Sequence, residues 1–205
     1  MASAILHGIF LAFGLILPLG VQNVFVFNQG AVQPRLLRAM PVVMTAAVCD
    51  TVLISLAVLG VSVIVLGVYW IKAALLATGI VFLLYMGFVT WKSKPNASSV
   101  TANALTPGKQ IAFAASVSLL NPHAIMDTIG VIGTNSLSYS GMEKVLFTCA
   151  CIVVSWIWFF SLAFAGKQVG RLDQSGKLMT GLNKTSACIM WGTTLYLVLT
   201  LIPQG

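Results

Sequence analysis

Six long apolar runs, separated by short polar gaps, constrain this chain more than any other feature. A helix needs about 20 consecutive apolar residues to cross a membrane, and each run is close to that length or longer. The runs lie near residues 4–27, 40–68, 71–91, 111–135, 145–165 and 185–203. Because six spans and their connections use up most of the 205 residues, we expect an all-α integral membrane protein with one transmembrane domain, 1–205.

The charge content agrees with a chain that lies in a lipid bilayer. Only 7% of the residues are charged and 59% are apolar, whereas a soluble domain carries about 25% charged residues. The net charge is +7, but the basic residues occupy the gaps between apolar runs and do not form a stripe with aromatic residues. We therefore expect no nucleic-acid partner.

The basic residues also predict an orientation. Nine of the eleven Lys and Arg residues fall in the first, third and fifth gaps, and the other two, Lys72 and Lys144, fall on the opposite side. Basic loops face the cytoplasm. If all six runs span, both termini therefore lie outside.

The longest polar gap, 92–110, is predicted to be a flexible linker between two halves, about 1–91 and 111–205. Each half begins with a helix that carries a central proline, Pro18 or Pro122. Since each half has three spans, the second is inverted relative to the first. This inverted-repeat plan, with the first and fourth helices broken near the midplane, is common in secondary transporters.

Two acids lie inside apolar runs, Asp50 and Asp127. A carboxylate at the bilayer centre costs about 2.5–3.5 kcal/mol on insertion scales, and no Lys or Arg lies in the interior of a run, away from its ends, to pair with either acid. The two acids are therefore expected to face each other, water or a cationic ligand, or to be protonated. A functional interpretation is favoured over a bond to a neighbouring helix.

The motif around the second proline predicts a helix that restarts inside the membrane. Asn121 is a strong N-cap and Pro122 suits the first helical position. The free N–H groups of such a start form an anion site that would suit an α-carboxylate. His123 and Asp127, four residues apart, share one face of this helix. The simpler alternative is an ordinary proline kink.

The first half offers a matching break, in which Pro18 removes a hydrogen bond and Gly20 lets the backbone bend. Gln22 and Asn23 follow directly. These two amides either satisfy freed backbone groups, contact a ligand or join neighbouring helices. The Ser155–Trp158 run is interpreted as packing or as part of an aromatic belt.

Three strings together resemble the LysE/ArgO family of basic amino-acid exporters: ILPLGVQNVFVFNQG (16–30), AAVCD (46–50) and LNPHAIMDT (120–128). The likeness covers nearly the whole chain in length, hydrophobic segments and motif order. Val21 departs from it, because the family usually has a second proline there.

The resemblance implies export of L-lysine and/or L-arginine across the bacterial inner membrane, driven by the membrane potential or proton exchange. It also implies that Asp50 and Asp127 matter for transport. Our hypothesis is that the α-carboxylate docks at Asn121–Pro122, helped by the Pro18–Asn23 break. The two acids then meet the substrate cations, and His123 relays a proton or acts as a helix-start donor.

Two other exporters remain open: one for neutral amino acids, and one for divalent cations that would use His123, Asp127 and Asp50. A thiol–disulfide carrier is discounted because no cysteine lies at the proline breaks. The chain has none of the common enzyme motifs. We expect no catalytic residue, resident metal or cofactor, and the sequence indicates no oligomeric state.

Overall fold

The computed structural model describes the chain as helical. It covers residues 1–17, 20–60, 77, 80–81, 84–85, 87–92, 104–119, 125, 128–172 and 177–201, and no strand occurs within them. The helices are α1 (Ala2–Ile16), α2 (Val21–Val32), α3 (Met40–Val58), α4 (Pro107–Leu119), α5 (Gly141–Leu172) and α6 (Lys177–Leu201). A 3₁₀ turn, Leu36–Ala39, leads into α3. A π-helical segment, Thr128–Gly133, continues into one further helical turn, Thr134–Ser136.

Two of the described stretches are long and apolar enough to cross a membrane on their own. They are Leu36–Val58, with 23 residues, and Gly141–Leu172, with 32 residues. Helices α1 and α2 are long and apolar enough to cross a membrane only when they are taken together, and the pair is bent by 80° at the break between them. Large apolar side chains such as Phe10, Val153 and Phe164 point outward from these helices. The described fold is therefore that of a helical membrane protein.

Helix α5 is the centre of the described structure, and the broken pair α1–α2 follows it along most of its length. Gly8 of α1 lies against the backbone of Phe147, and Ala31 of α2 lies against Gly170. These two positions on α5 are 23 residues apart, which is about 35 Å at ~1.5 Å per residue. The pair thus follows α5 over a distance that slightly exceeds the ~30 Å hydrocarbon core of a bilayer.

Small residues allow α2 and α5 to approach until their backbones touch. A Cβ added to Gly30 would meet the backbone of Ala163, and one added to Gly166 would meet the backbone of Phe27. In lipid, the hydrophobic effect does not drive helices together, because the lipid tails are as apolar as the helix surfaces. Helices associate instead through close van der Waals packing of this kind. The α2–α5 contact therefore depends on glycine at these positions.

The buried apolar residues form two clusters at different depths. One contains Ala47, Val26 and Phe159, and the other contains Ile54, Ala12 and Val154. Asp50 lies between Ala47 and Ile54 on α3, and Ser155 lies between Val154 and Phe159 on α5. A polar layer thus separates the two apolar clusters near mid-depth.

The apolar run 40–68 is not helical throughout its described part. Helix α3 ends at Val58, and Gly60 follows with a φ of +79°. This left-handed conformation, which glycine adopts without steric cost, ends the helix. An apolar run therefore does not guarantee a continuous helix. The remainder of the run, 61–68, lies outside the described residues.

The prediction of a flexible linker at 92–110 was wrong for its last four residues, because α4 begins at Pro107. The Gln33 side chain donates to the Leu105 carbonyl at 2.9 Å, and the fully buried Gln110 donates to the carbonyls of Leu105 and Arg38 at 2.9 Å. Buried amides bonded to the backbone in this way fix a segment in place. The linker residues 93–103 lie outside the described residues.

The last two helices extend beyond their predicted apolar runs. Helix α5 occupies 141–172 where the run is 145–165, and α6 begins at Lys177, eight residues before its run. A helix satisfies its own backbone hydrogen bonds, so it continues into water where apolar residues stop. Lys167, beyond the α5 run, donates to the carbonyls of Gln33 and Pro34 at 2.5 and 3.2 Å.

The glycine contact between α2 and α5 can be tested by adding one methyl group. We expect Gly166→Ala to destabilise the protein by about 1–3 kcal/mol, because the new Cβ would overlap the Phe27 backbone. Gly14→Ala is the matched control, since a Cβ on Gly14 has no neighbour within 4 Å among the described residues. Thermal melting of both variants in detergent measures the difference, and equal melting temperatures would contradict the packing described above.

Candidate functional site

The break between α1 and α2 confirms the predicted interruption of the first helix. Helix α1 ends at Ile16, and Gly20 precedes α2 in an extended conformation, without a side-chain cap on the new helix. The Asn23 side chain donates to the Ile16 carbonyl at 2.7 Å. Asn23 thereby satisfies a backbone group that the break leaves without its helical partner. Pro18, the residue on which the prediction rested, lies outside the described residues.

Asp50 lies in the polar layer, half-buried on α3. Its Oδ2 accepts a hydrogen bond of 2.8 Å from the Ser155 hydroxyl of α5. One residue further along each helix, Trp156 Nε1 donates to the Thr51 hydroxyl at 3.0 Å. The two bonds are consecutive cross-links between α3 and α5, and together they hold the carboxylate at a defined depth.

Gln22 brings an amide to the same carboxylate. The residue is 8% exposed and belongs to the first turn of α2. Its side chain lies beside Asp50 and interacts with it. However, Gln22 Nε2 is buried without a hydrogen bond of normal geometry to any group in the described part of the chain. The Gln22 amide therefore meets the Asp50 carboxylate in a contact that is longer or less well aligned than an ordinary hydrogen bond.

Helix α5 supplies a further contact to the break. Trp158 Nε1 donates to Asn23 Oδ1 at 3.3 Å. Ser155 and Trp158, interpreted from the sequence as packing or belt residues, make polar contacts between the helices, to Asp50 and Asn23. The Ser155 hydroxyl inside an apolar run was the available signal of a polar contact between helices. Its partner could not be read from the sequence, because Asp50 lies 105 residues away.

The second half approaches this layer through α4. Ser118, near the end of α4, is buried and interacts with Cys49, the neighbour of Asp50. The π-helical segment also packs on α3, where Gly133 lies close to the Ala57 backbone. Both segments that flank 120–127 therefore contact the helix that carries Asp50.

Of the predicted site residues, the structure brings Gln22, Asn23 and Asp50 together. The others, namely Pro18, Asn121, Pro122, His123 and Asp127, lie outside the described residues. Within 1–17, 20–60 and the other described stretches, no group of three His, Cys, Asp or Glu residues is arranged to hold a metal ion. Chemically, the described layer offers a carboxylate that could meet a cation.

These observations define the class of protein to which the chain belongs. The chain is an α-helical membrane protein with an acid near the middle of an apolar bundle, and intramembrane acids mark the pathways of substrates and ions.

Comparison with known proteins places the chain within this class. Residues 13–201 match the LysE type translocator family, and the chain belongs to that family. Its members translocate solutes and are not enzymes, as the sequence predicted. No solved structure matches the chain.

Two kinds of relative are informative. A Bacillus subtilis (strain 168) protein named "Putative amino-acid transporter YisU" is 61% identical over 194 residues, which cover 95% of this chain and 88% of the relative. The arginine exporter protein ArgO of Shigella flexneri is 33% identical over 201 residues, covering 96% and 94%. ArgO of Escherichia coli (strain K12) is 32% identical over the same length. The predicted family resemblance is confirmed.

The Ser155–Asp50 bond can be tested by removing the hydroxyl. We expect Ser155→Ala to lower stability by about 1–2 kcal/mol, because a buried carboxylate loses a donor. Ser116→Ala is the control, since the Ser116 hydroxyl bonds to the Ala112 carbonyl of its own helix and to no other helix in the described part of the chain. The midpoint of thermal unfolding in detergent is the measurement, and an unchanged midpoint for Ser155→Ala would show that the bond contributes nothing.

Proposed function

We propose that this protein is a secondary transporter that exports basic L-amino acids, arginine and/or lysine, across the bacterial cytoplasmic membrane. The observation that carries the proposal is the Asp50 carboxylate, which lies near mid-depth among apolar helices. Within the described residues, no Lys or Arg forms an ion pair with it. A substrate cation would supply the missing charge. The names of the ArgO relatives, which are arginine exporters, support this substrate class.

The proposed mechanism uses both intramembrane acids. Asp50 and Asp127 meet the α-ammonium and the side-chain cation, while the start of a helix at Asn121–Pro122 and the break from Pro18 to Asn23 meet the carboxylate. His123 relays a proton or donates to the substrate. The two halves then rock to alternate access, driven by the membrane potential or by proton exchange.

The proposed architecture has six spans in two inverted halves, 1–91 and 111–205. Helices α1 and α2 form one broken span, an interpretation supported by the way they follow α5. Helix α3 runs antiparallel to α5, since Ala47 and Phe159 share one cluster while Ile54 and Val154 share the other. The nine basic residues in the first, third and fifth gaps face the cytoplasm, and both termini face outward.

The orientation can be tested with carboxyl-terminal fusions. We expect alkaline phosphatase fused after residue 205 to be active, and green fluorescent protein at the same position to be dark, because the carboxyl terminus would lie outside. Fusions after residue 100, in a basic loop, are expected to show the opposite pair of signals. Inactive phosphatase and bright fluorescence at residue 205 would rule out the proposed orientation.

The function can be tested by efflux from bacteria loaded with arginine- or lysine-containing dipeptides. Expression of the protein is expected to accelerate release of the basic amino acid. Asp50→Asn should reduce the rate at least tenfold, because an amide cannot neutralise a desolvated cation. Asp127→Asn should do the same.

Glu143→Gln is the matched control, since it also neutralises an acid of this chain, but an exposed one at the start of α5. Its efflux should equal that of the unchanged protein. All variants are compared at equal amounts in the membrane. Normal efflux by Asp50→Asn would defeat the proposed role of this acid.

A neutral amino-acid exporter is the second candidate. It is favoured by Val21, which stands where the resembled family usually has proline, and by the name of the 61% identical relative, which specifies no type of amino acid. Loading the same cells with alanine- or leucine-containing dipeptides distinguishes the two candidates.

A further inference from the structure

The described end of the third apolar run, 71–91, packs against α6 through a pair of tryptophans. The ring centroids of Trp91 and Trp191 lie 5.4 Å apart. Gly87, one turn before Trp91, lies directly against the Trp191 indole, because a Cβ added to Gly87 would overlap that ring. The last helix of each proposed half therefore meets the other at this aromatic contact.

Two lysines lie over the same aromatic surface. Lys92 Nζ is 4.2 Å from the centroid of the Phe88 ring, and Lys184 Nζ is 5.6 Å from the centroid of the Trp91 ring. Phe88 and Trp91 are three residues apart on one helix, so they lie on the same side of it. The two ammonium groups are therefore held on one face, although they come from opposite halves of the chain.

The positive charge of these two lysines is not balanced within the described part of the chain. Both side chains are exposed, and the only ion pair among the described residues joins the amino terminus to Glu143. A ring face attracts an ammonium group but leaves its charge and its N–H donors in place. The pair of lysines can therefore bind an anion.

The position of the lysines indicates that this anion belongs to a lipid. Trp91 ends an apolar run and Lys92 opens the polar gap 92–110. Such a transition lies at the boundary between membrane and water, where tryptophan is enriched. In the proposed orientation this boundary faces the cytoplasm, and basic pockets between helices on that side bind anionic headgroups.

Apolar faces run from the two lysines toward the middle of the membrane. Leu84 and Phe88, four residues apart, are 48 and 51% exposed. On α6, Leu195 and Leu199 share the face of Lys184 by helical spacing and are 60 and 57% exposed. A phospholipid has the same arrangement, with a charged headgroup at the boundary and acyl chains that extend inward from it.

We propose that Lys92 and Lys184 bind the headgroup of an anionic phospholipid, whose acyl chains lie along the exposed faces of the two helices. The proposal rests on the six-span architecture of the proposed function, which places both helices in the bilayer. It adds a partner that the transport mechanism does not itself require. One lipid molecule would then join the last helix of each half.

Native mass spectrometry of the purified full-length protein tests this site. The probes are dioleoyl phosphatidylglycerol and dioleoyl phosphatidylcholine, which share their acyl chains and differ in net charge. We expect the unchanged protein to prefer phosphatidylglycerol by about tenfold or more, because each basic residue near an anionic surface strengthens binding about fivefold. The double variant Lys92→Gln/Lys184→Gln should reduce this preference by about fivefold or more.

Two further double variants separate the site from general charge effects. Lys92→Arg/Lys184→Arg keeps both positive charges and should keep the preference for phosphatidylglycerol. Arg35→Gln/Lys109→Gln is the matched control. It removes two exposed basic residues from the same predicted side of the membrane, and neither lies over an aromatic ring within the described chain. It should also keep the preference.

Three results would overturn the lipid site. The first is an unchanged preference in Lys92→Gln/Lys184→Gln. The second is an equal loss in Arg35→Gln/Lys109→Gln, which would mean that net charge alone attracts the lipid. The third is displacement of phosphatidylglycerol by glycerol 3-phosphate, which carries the phosphate without acyl chains and would identify the ligand as a free anion.

Failure of the lipid site differs from failure of the proposed function, because lipid binding is measured without any amino acid. A protein that exports arginine or lysine but binds both lipids equally would overturn the lipid site alone. A protein that prefers phosphatidylglycerol through Lys92 and Lys184 but exports no basic amino acid would overturn the proposed substrate alone.

Discussion

A carboxylate near the middle of an apolar bundle is the constraint on which the rest of the described structure depends. The free-energy cost of placing this carboxylate among apolar helices falls only where neighbouring helices bring hydrogen-bond donors to it. Ser155 does so at 2.8 Å, and the adjacent Thr51–Trp156 bond allows one register of α3 on α5. The two apolar clusters then pack on either side of the layer. The position of one acid thus determines how two membrane-length helices align.

The broken helix solves a related problem. An interruption inside a membrane leaves backbone groups without partners, and lipid offers none. Asn23 satisfies one such carbonyl, and Trp158 in turn holds the Asn23 side chain. Close contact between glycine and backbone at Gly30 and Gly166 lets α5 approach closely enough to supply these donors. The structural role of Asn23 and the buried start of α2 therefore arise from the same break.

Local chemistry explains which features were predictable from the sequence. A proline followed by glycine signals an interrupted helix, and the described chain is interrupted between Ile16 and Val21. An acid in an apolar run predicts a functional position, and this stays a prediction for Asp50. The partners of these residues were not predictable, because nothing near Ser155 or Trp158 in sequence indicates what lies across the helix interface. Hydropathy alone does not reveal the end of α3 at Val58, because Gly60, which adopts a left-handed conformation there, stands among apolar residues.

The same reasoning applies to the predicted linker. Its composition of Pro, Ser, Asn and Thr indicated flexibility, but Gln110 is buried by contacts with segments about 70 residues earlier in the chain. Such a contact depends on the tertiary arrangement, so local composition does not reveal it. The residues that composition describes correctly are those whose neighbours in space are also their neighbours in sequence.

The distance in sequence between Asp50 and Ser155 has a consequence for biosynthesis. A ribosome adds about 5–20 residues per second, so the 105 residues between them represent roughly 5–20 s of translation. During this interval α3 is already made, but the hydroxyl that bonds to its acid does not yet exist. The nascent chain must therefore keep Asp50 protonated, hydrated or within the translocation machinery until α5 emerges. The order of synthesis thus makes α5 the helix that completes the core.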